Sequence, residues 1–168
     1  MNLNLRPPKL SDKKYFIKWW TDPYLISMTS GRKEDPVKIA KFFPKLLKSK
    51  NPQFIILADT KPIGHIMVRR KSKTVFRTPI IIGERKHRGK GVGTWALRKI
   101  LQMGFVKLNY KKAYLEVRPE NKNAISTYKK LGFHKKGIKL YKDNKYLSKV
   151  IMMELMKSAW KKSKLAIA

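Results

Sequence analysis

Apolar residues recur at every second position, or in short unbroken runs, in about seven segments separated by turn residues. This pattern is typical of β-strands. The predicted strands are Asn2–Arg6, Gln53–Asp59, Pro62–Arg70, Thr74–Glu84, Lys112–Arg118 and the two halves of a hairpin, 133–142 and 145–155, which turns at Asp143–Asn144. Pro79 lies inside the fourth strand. Because proline cannot donate a main-chain hydrogen bond, one side of that strand is expected to be unpaired or bulged.

About four further segments carry apolar residues at the three- and four-residue spacing of an amphipathic helix. Ser11 is expected to cap the first helix, and Asp22–Pro23 is expected to end it. Asp35–Pro36 is expected to start the second helix, in which Pro44 should introduce a break or a kink. The third and fourth helices are predicted over Gly91–Leu108 and 120–131, the last one opened by Asn121 or Glu120 and closed by Gly132.

The order of these elements is β-α-α-β-β-β-α-β-α-β-β, which predicts an α+β fold with a mixed, mostly antiparallel sheet. No linker or repeat divides the chain, so residues 1–156 are predicted to form one domain, followed by a basic tail at 157–168. The chain has no cysteine, no secretory signal and no apolar run of the ~18 residues that a membrane span requires. A cytoplasmic protein without a membrane anchor is therefore expected.

Charge is the most unusual feature of the composition. The chain has 41 lysine and arginine residues and 10 acidic residues, which gives a net charge of +31. A field of this sign attracts polyanions and repels cations. The excess either serves a polyanionic partner or reflects a compositional bias with solvated lysines. The three histidines are scattered along the sequence without an i, i+4 pair, so no metal site is expected.

Residues 84–94 read ERKHRGKGVGT and place glycine at three alternate positions among basic side chains. Glycine lets main-chain N–H groups approach an anion closely, and the helix predicted to begin at Gly91 adds the partial positive charge of its N-terminus. The segment therefore predicts a phosphate site. Neither the Walker A loop nor the dinucleotide-binding fingerprint of Rossmann folds matches the spacing of these glycines.

Two motifs resemble those of one family. Arg88-x-x-Gly91-x-Gly93, placed between a strand and a helix, resembles the [QR]-x-x-G-x-[GA] loop with which the GNAT superfamily of N-acetyltransferases binds the pyrophosphate of acetyl-CoA. The later stretch VRPENKNAISTYKKLGF (Val117–Phe133) is similar to that family's V-x-x-x-N-x-x-A-x-x-x-Y-x-x-x-G-F. The resemblance extends from Leu3 to about Leu155. It is closest to the subgroup of ribosomal-protein N-terminal, spermidine and nucleotide-aminosugar acetyltransferases.

The resemblance implies a GNAT fold of about seven strands and about four helices, in which the fourth and fifth strands splay apart and admit the pantetheine arm of acetyl-CoA. It also implies direct attack of an uncharged amine on the thioester, with a main-chain N–H near Ile81 or Ile82 holding the oxyanion and Tyr128 protonating the departing thiolate. Asn121 lies two helical turns before Tyr128 and is expected to bind the cofactor arm. The residues expected to bind acetyl-CoA are Ile80, Ile81, Ile82, Arg85, Lys86, Arg88, Gly89, Lys90, Gly91, Val92, Gly93, Thr94 and Asn121.

The chain departs from the family pattern at the position of a general base. Many relatives carry a glutamate on the fourth strand, and the corresponding position here is Arg77. Glu84, Glu116, His87 or a chain of water molecules are the alternatives for accepting the proton of the attacking amine, and Glu84 or water is favoured. If none of them serves, the chain would be a catalytically silent scaffold that binds coenzyme A or nucleic acid.

The acceptor is the least defined expectation. A protein of charge +31 is poorly suited to spermidine, which is itself cationic. A protein N-terminus presented at the ribosome is favoured, because rRNA phosphates would attract so basic a protein. The alternative is an amino sugar on a nucleoside diphosphate. The protein is expected to be a monomer or a homodimer.

Overall fold

Nine strands are found among the residues that the computed structural model describes, which are 1–142, 144 and 146–162. They are β1 (Leu3–Arg6), β2 (Gln53–Ala58), β3 (Lys61–Met67), β4 (Arg69–Arg70), β5 (Val75–Arg77), β6 (Ile80–Ile82), β7 (Lys112–Val117), β8 (His134–Leu140) and β9 (Lys149–Met156). One sheet has the order β1-β2-β3-β6 and the other β4-β5-β7-β9-β8. Paired strands are antiparallel except for β5 and β7, so the predicted mixed, mostly antiparallel architecture is confirmed.

Six α-helices flank the sheets in the described part of the chain. They are α1 (Lys13–Trp20), α2 (Pro23–Met28), α3 (Pro36–Leu47), α4 (Val92–Gln102), α5 (Lys122–Lys130) and α6 (Lys157–Lys162). A π-helical turn, Met103–Lys107, continues α4 almost to the predicted end at Leu108. A 3₁₀ turn, Arg85–His87, precedes the glycine-rich segment. Within the same described residues, no helix combines the length and the apolar character needed to cross a membrane.

The structure contains a helix, α2, that the sequence analysis did not predict. Asp22–Pro23 follows the end of α1, as expected, but the same two residues also start α2. Asp22 Oδ1 accepts the main-chain N–H of Leu25 at 2.8 Å, and Pro23 occupies the first helical position, where its missing N–H is not needed. The pair is therefore a helix start as well as a helix stop.

Of the break or kink expected at Pro44, the break is wrong, because α3 runs through this residue, and the kink stays a prediction. Proline inside a helix removes one main-chain hydrogen bond and crowds the preceding turn. Ile39 and Phe43 of the same helix are buried against Phe16 of α1 and stabilise α3 around the proline. Tertiary packing therefore overrides the local preference at this position.

Strands are more numerous than predicted because two of the predicted strands are divided. Segment Pro62–Arg70 is interrupted at Val68, and segment Thr74–Glu84 is interrupted at Thr78–Pro79. At each interruption the chain changes sheet, since β3 and β6 belong to the first sheet and β4 and β5 to the second. The two sheets thus meet at a seam, which lies where Pro79 predicted an unpaired strand.

Two hydrophobic cores lie on opposite faces of the first sheet. The main core packs α4 and α5 against strands of both sheets and includes Ile56, Phe76 and Ile100. The smaller core packs α1 and α3 against β2 through Phe16 and Ile55, whose side chain points away from that of Ile56. The first sheet is therefore covered on both faces.

The basic tail predicted at 157–168 begins with a packed helix. Trp160 of α6 is buried in the main core, with its ring centroid 5.4 Å from that of Phe105. The folded part of the chain therefore continues past residue 156. Residues 163–168 lie outside the described residues, as does Asp143 of the predicted hairpin turn.

Candidate active site

The seam between the sheets opens into a gap between β6 and β7. Along Val75–Arg77, β5 pairs with Lys112–Tyr114 of β7. After Thr78–Pro79 the chain turns away, and β6 pairs with β3 instead. Leu115–Val117 continues β7 on the other side of the gap. The splayed fourth and fifth strands expected from the sequence are confirmed, and the predicted fourth strand corresponds to β5 followed by β6.

The main chain of β6 presents polar groups to this gap at alternate residues. Pro79 accepts a hydrogen bond from β3, and Gly83 donates one to β3. Because the hydrogen bonds of an antiparallel ladder recur at every second residue, Ile81 also faces β3, whereas Ile80 and Ile82 face the gap. The N–H groups that point toward the gap are therefore those of Ile80 and Ile82, and the main chain of Ile81 is used within the sheet.

The glycine-rich segment forms an open cradle, Gly89–Thr94, next to the gap. Gly89 and Gly91 have φ angles of +74° and +79°, which residues with a side chain rarely adopt. A Cβ atom on either glycine would meet nothing within 4 Å, so the space in front of the main chain is open. Gly91 is the N-cap of α4 and has no side chain to cap it. The first N–H groups of α4 therefore face this space without a partner inside the helix, which fits a phosphate group.

Basic side chains near the cradle have different roles. Arg88 braces the loop, because its Nε donates to the carbonyl oxygen of Ile82 at 2.9 Å and its guanidinium also donates to the carbonyl oxygen of Gly83 at 2.6 Å. Val92 is buried in the main core, so it offers the cradle only its main chain. The exposed basic side chains around the cradle are Arg85, Lys86 and Lys90. These three add positive charge to the surface beside the loop.

A cavity of about 1160 Å³ runs from the cradle through the gap to the opposite face of the sheets. Its walls contain residues of the cradle, Ile80–Ile82 and Leu115–Val117. On the opposite face its walls come from α1, α2, α3 and the start of the second sheet, and include Trp20, Tyr24, Met28, Phe42, Lys45, Lys48, Arg69 and Arg77. A smaller cavity of about 400 Å³ adjoins it beside α1 and α3. We call the cradle side the donor half of the main cavity and the α1–α3 side the acceptor half.

Tyr128 of α5 lines the main cavity beside the gap. Its ring packs edge-on against Phe133, with 5.8 Å between the ring centroids. Burial raises the pKa of the Tyr128 phenol to about 12, because removal from water disfavours the phenolate. The phenol therefore keeps its proton at neutral pH, which is the form that a proton donor requires.

Asn121 caps α5 and ties it to α2. Its Oδ1 accepts the main-chain N–H of Ala124 at 3.2 Å, and its Nδ2 donates to the carbonyl oxygen of Met28 at 3.3 Å. The residue also lines the main cavity. Its contacts give it a structural role, and binding of the cofactor arm by Asn121 stays a prediction.

Glu84, favoured from the sequence as the proton acceptor, is held by α1. Its two carboxylate oxygens accept from Lys18 Nζ at 2.7 and 2.8 Å, and Oε1 also accepts from the Trp19 indole at 3.0 Å. Burial alone would raise the pKa of Glu84, but the hydrogen bonds from Lys18 and Trp19 outweigh burial and lower it. The described residues that wall the main cavity do not include Glu84. Its carboxylate is therefore poorly placed to take a proton there.

Glu116 of β7 places a carboxylate in the described wall of the main cavity. Its Oε1 accepts from the Tyr114 hydroxyl at 2.9 Å and its Oε2 from the Tyr141 hydroxyl at 2.7 Å. Arg77 and Lys139 each place a cationic nitrogen 3.5 Å from one of its oxygens. Burial acts to raise the pKa of Glu116, but the two tyrosines and the two cations lower it overall, so the group is ionised at neutral pH.

His87, the remaining side chain among the proton-acceptor alternatives, lines the main cavity next to the cradle. Desolvation lowers its pKa, and the neighbouring Lys86 and Lys90 lower it further. The ring is therefore neutral at pH 7, but it belongs to the 3₁₀ turn that leads into the cradle rather than to the strands that flank the gap. The position suits a contact with the acetyl donor better than one with the amine.

Several residues of the acceptor half were not expected from the sequence. They lie on α2, at the end of α3 and on β4, and they include Tyr24, Met28, Lys45, Lys48, Asn51 and Arg69. No motif marks them, because the cavity brings together segments that are far apart in the chain. The positive charge of Lys45, Lys48 and Arg69 is visible in the sequence. It does not single out these positions, because the chain has 41 basic residues.

Comparison with known proteins gives a family. A family model described as an acetyltransferase (GNAT) domain matches residues 2–134. The spermidine N(1)-acetyltransferase of Escherichia coli K12 is 27% identical over 148 residues, which cover 81% of this chain and 75% of that protein. An uncharacterized N-acetyltransferase of Bacillus licheniformis is 26% identical over 146 residues, which cover 81% of each chain.

Solved structures share the fold along nearly the whole chain. A spermidine N-acetyltransferase from Vibrio cholerae in complex with CoA and spermine has a TM-score of 0.80 and 22% identity, and the match covers 95% of this chain and 98% of that one. An aminoglycoside acetyltransferase in complex with coenzyme A has a TM-score of 0.80 and 18% identity, with 97% and 99% covered. At these identities the likeness establishes the fold.

The family model and the structure agree along the same residues. Residues 2–134 include both sides of the gap, the cradle and the helix that carries Tyr128. The free N–H groups at the start of α4 and the open space before them fit the pyrophosphate of coenzyme A. The chain therefore belongs to the GNAT acetyltransferase family, as an N-acetyltransferase that uses acetyl-CoA as its donor.

Proposed function

We propose that the protein transfers the acetyl group to a primary amine by direct attack within the gap between β6 and β7. The observation that supports this proposal is that the cradle, the gap and Tyr128 line one continuous cavity. Main-chain N–H groups of the cradle would hold the pyrophosphate, and the pantetheine arm would follow β6 toward Thr78–Pro79. The acceptor would enter from the other face, so donor and amine meet at the seam.

The reaction requires that negative charge be stabilised on two atoms, the carbonyl oxygen and the sulfur of the thioester. Attack of the amine moves negative charge onto the carbonyl oxygen, and collapse of the adduct then moves it onto sulfur. The N–H of Ile80 or Ile82, both facing the gap, would hold the oxygen. Tyr128 would give its proton to the sulfur as the C–S bond breaks. A phenol that stays protonated suits this step, because a thiolate formed away from water is a strong base.

Glu116 is our candidate for receiving the ammonium group of the acceptor. Its ionised carboxylate belongs to the described wall of the cavity, where an ammonium group would compete with Arg77 and Lys139 for its two oxygens. Its low pKa makes it a weak base, so the proton of the ammonium group would pass to solvent through water in the cavity. Glu84 is less suited to this role than Glu116, because Lys18 and Trp19 hold its carboxylate outside the cavity wall.

For the acceptor we propose a protein N-terminus presented at the ribosome, which would place the enzyme in the cytoplasm. The net charge of +31 would hold the protein near rRNA phosphates by counterion release. A polyamine is disfavoured because Lys45, Lys48 and Arg69 of the acceptor half would repel it. A nucleotide-linked amino sugar is the second candidate, because the same basic wall suits its phosphates.

Thiol release from acetyl-CoA tests this proposal. The acceptors are a peptide with a free N-terminus, the same peptide with a blocked N-terminus, a nucleotide-linked amino sugar and spermidine, with product masses determined in each case. We expect thiol release and a mass increase of one acetyl group with the free peptide and none with the blocked one. Spermidine as the best acceptor would contradict the proposed acceptor.

A salt titration of RNA binding should accompany the assay. We expect RNA affinity to fall steeply as salt rises, because the contacts are with phosphates. RNA binding without thiol release from any acceptor would instead support a catalytically silent scaffold and would contradict the proposed transfer reaction.

A further inference from the structure

Two arginines face each other across a strand pair at the seam. Arg69 of β4 lies directly opposite Arg77 of β5 in the antiparallel register, and both line the main cavity. Directly opposite residues place their side chains on the same face of a sheet, and like charges in such a pair destabilise it. Glu116 balances part of the charge of Arg77, at 3.5 Å, but no ion pair of Arg69 is found among the described residues. The two arginines therefore keep an excess of positive charge, which a further anion between them would offset.

The arginine pair, Arg69 and Arg77, belongs to the acceptor half of the cavity. Its neighbours Arg70 and Phe76 also lie opposite each other, and Phe76 is buried in the main core beneath α4. Because side chains alternate along a strand, Arg69 and Arg77 point to the other face. Glu116 shares that face, since Arg77 lies 3.5 Å from its carboxylate.

Further positive charge reaches the same end of the cavity from α3. Arg70 donates its main-chain N–H to Asn51 Oδ1 at 3.0 Å, which joins β4 to the segment that follows α3. Lys45 and Lys48, at the end of α3, line the cavity along with the arginine pair. Four basic side chains therefore line the same cavity, although 21 positions of the chain separate Lys48 from Arg69.

The arginine pair also lies next to the expected position of the thioester. β5 ends at Arg77, and the gap opens immediately afterwards at Thr78–Pro79. The cradle follows the other end of β6, so the donor would approach the seam from the side opposite Arg77. A group bound by the arginine pair would therefore be part of the acceptor and not of the acetyl donor.

We propose that the arginine pair binds an anionic group of the acceptor, a carboxylate or a phosphate carried close to the reactive amine. The inference rests on the proposed function and narrows its substrate class to amines that carry an anion. Glu116 would take the ammonium group and the arginine pair the anion, so the wall complements a zwitterion. A guanidinium group suits both anions, because its parallel N–H groups match two oxygens of a carboxylate or a phosphate.

Two kinds of acceptor supply this chemistry. In a protein N-terminus the anion would be an acidic side chain within the first residues, and in an amino sugar it would be a phosphate. Matched acceptors separate the two sources. One arm compares a peptide that begins Ser-Asp-Glu with the same peptide beginning Ser-Asn-Gln, and the other arm compares glucosamine 6-phosphate with glucosamine.

The measured quantity is the ratio of kcat/KM for the anionic acceptor to that for its neutral partner. We expect the wild-type ratio to exceed about 10 in at least one arm, and the arm with the larger ratio identifies the source of the anion. In Arg69→Gln and Arg77→Gln that ratio should fall about tenfold, mainly through KM of the anionic acceptor. Arg70→Gln is the matched control, because it removes the same charge from the same strand pair on the opposite face.

The outcomes are distinct. Equal kcat/KM for anionic and neutral acceptors in both arms would overturn this inference and leave the transfer reaction standing. The same would follow if Arg70→Gln lowered the ratio as much as Arg69→Gln, because the effect would then be one of general charge. Absence of thiol release with all four acceptors would remove the proposed function and this inference together. Arg69 is exposed, so its replacement should leave the melting temperature unchanged and the comparison valid.

Discussion

The donor half and the acceptor half of the cavity are built in different ways. The cradle of the donor half is a run of six consecutive residues, Gly89–Thr94, whose main chain is proposed to bind the pyrophosphate. The acceptor half is assembled from α1, α2, α3, β4, β5 and β7, which are spread over a hundred positions of the chain. The first can be recognised in the sequence, whereas the second exists only after folding.

This difference also separates what is common to the family from what is particular to this chain. The cradle depends on backbone conformation, which glycine allows at Gly89 and Gly91. The acceptor half depends on side-chain charge, and here Arg77 lies in a wall beside Glu116. The donor should therefore be set by the loop, and the acceptor by the balance of cations and carboxylates on the opposite wall.

The largest effect is expected in the donor half. Gly91→Glu should weaken acetyl-CoA binding by more than about 100-fold, because a carboxylate at the cradle repels the pyrophosphate by several kcal/mol. Calorimetric titration with CoA measures this effect. Gly91→Ala is the control, since alanine brings the strain of a positive φ, about 1–2 kcal/mol, without the charge. Equal affinity in Gly91→Glu and wild type would place the pyrophosphate elsewhere.

Tyr128→Phe tests the point at which the two halves meet. We expect kcat to fall about 100-fold while KM for acetyl-CoA changes little, because the variant loses the proton donor and keeps the packing against Phe133. Steady-state kinetics with the best acceptor measures both quantities. An unchanged kcat would remove Tyr128 from the mechanism and leave protonation of the thiolate to water.

His65 offers a test on the floor of the acceptor half. The ring is buried beside Phe16 and lies 3.2 Å from Gln53 Oε1, and burial lowers its pKa to about 4 from an ordinary value of 6.5. Between pH 6.5 and pH 4, His65 is protonated in the unfolded chain but stays neutral in the folded chain. The folded state therefore loses stability as the pH falls from 6.5 toward 4. Between pH 7 and pH 5 this group should lower the free energy of unfolding by about 2 kcal/mol.

Urea unfolding at the two pH values measures this loss. His65→Gln, which keeps a polar partner for Gln53, should remove most of it. Tyr128→Phe leaves all three histidines in place and is the second control, in which the loss should persist. If the free energy of unfolding of His65→Gln fell by the same amount between pH 7 and pH 5, the loss would be due to other ionisable groups.

The smallest effect separates the two candidate carboxylates. Glu116→Gln should raise KM for the amine about tenfold, because the ammonium group loses its counter-charge. Glu84→Gln should leave kcat and KM within about twofold, since its carboxylate serves an exposed ion pair with Lys18, a contact of ~0–1 kcal/mol. The reverse order of effects would restore Glu84 as the acceptor-side carboxylate.

Prediction from the sequence succeeded where a function rests on neighbouring residues. The unpaired stretch at Pro79 followed from the missing N–H of proline, whereas the splay of the fourth and fifth strands was implied by the resemblance. The helix carrying Asn121 and Tyr128 followed from apolar spacing and a capping residue. Prediction failed where two local preferences compete. Asp22–Pro23 was interpreted only as a helix end, and Pro44 as a break or a kink, although α3 continues through it with buried side chains.

Charged positions were the hardest to interpret from the sequence. Glu84 and Glu116 are both single acids in a basic chain, and nothing local indicates that one binds Lys18 while the other lines the cavity. Arg69 and Arg77 are eight positions apart, and only the strand register places them opposite each other. Long-range contacts, and not residue type, decide the roles of these four side chains.

From the sequence alone, two motifs that resemble those of the GNAT family indicated the family, the donor and the loop proposed to receive it, because the residues of each motif lie close together in the chain. Only the tertiary structure decided which carboxylate lines the cavity, where the fourth strand changes sheet and which cations line the acceptor half. Those features depend on pairing between distant segments. The free energy of such pairing depends on residues far apart in the chain, so no local sequence pattern reveals it.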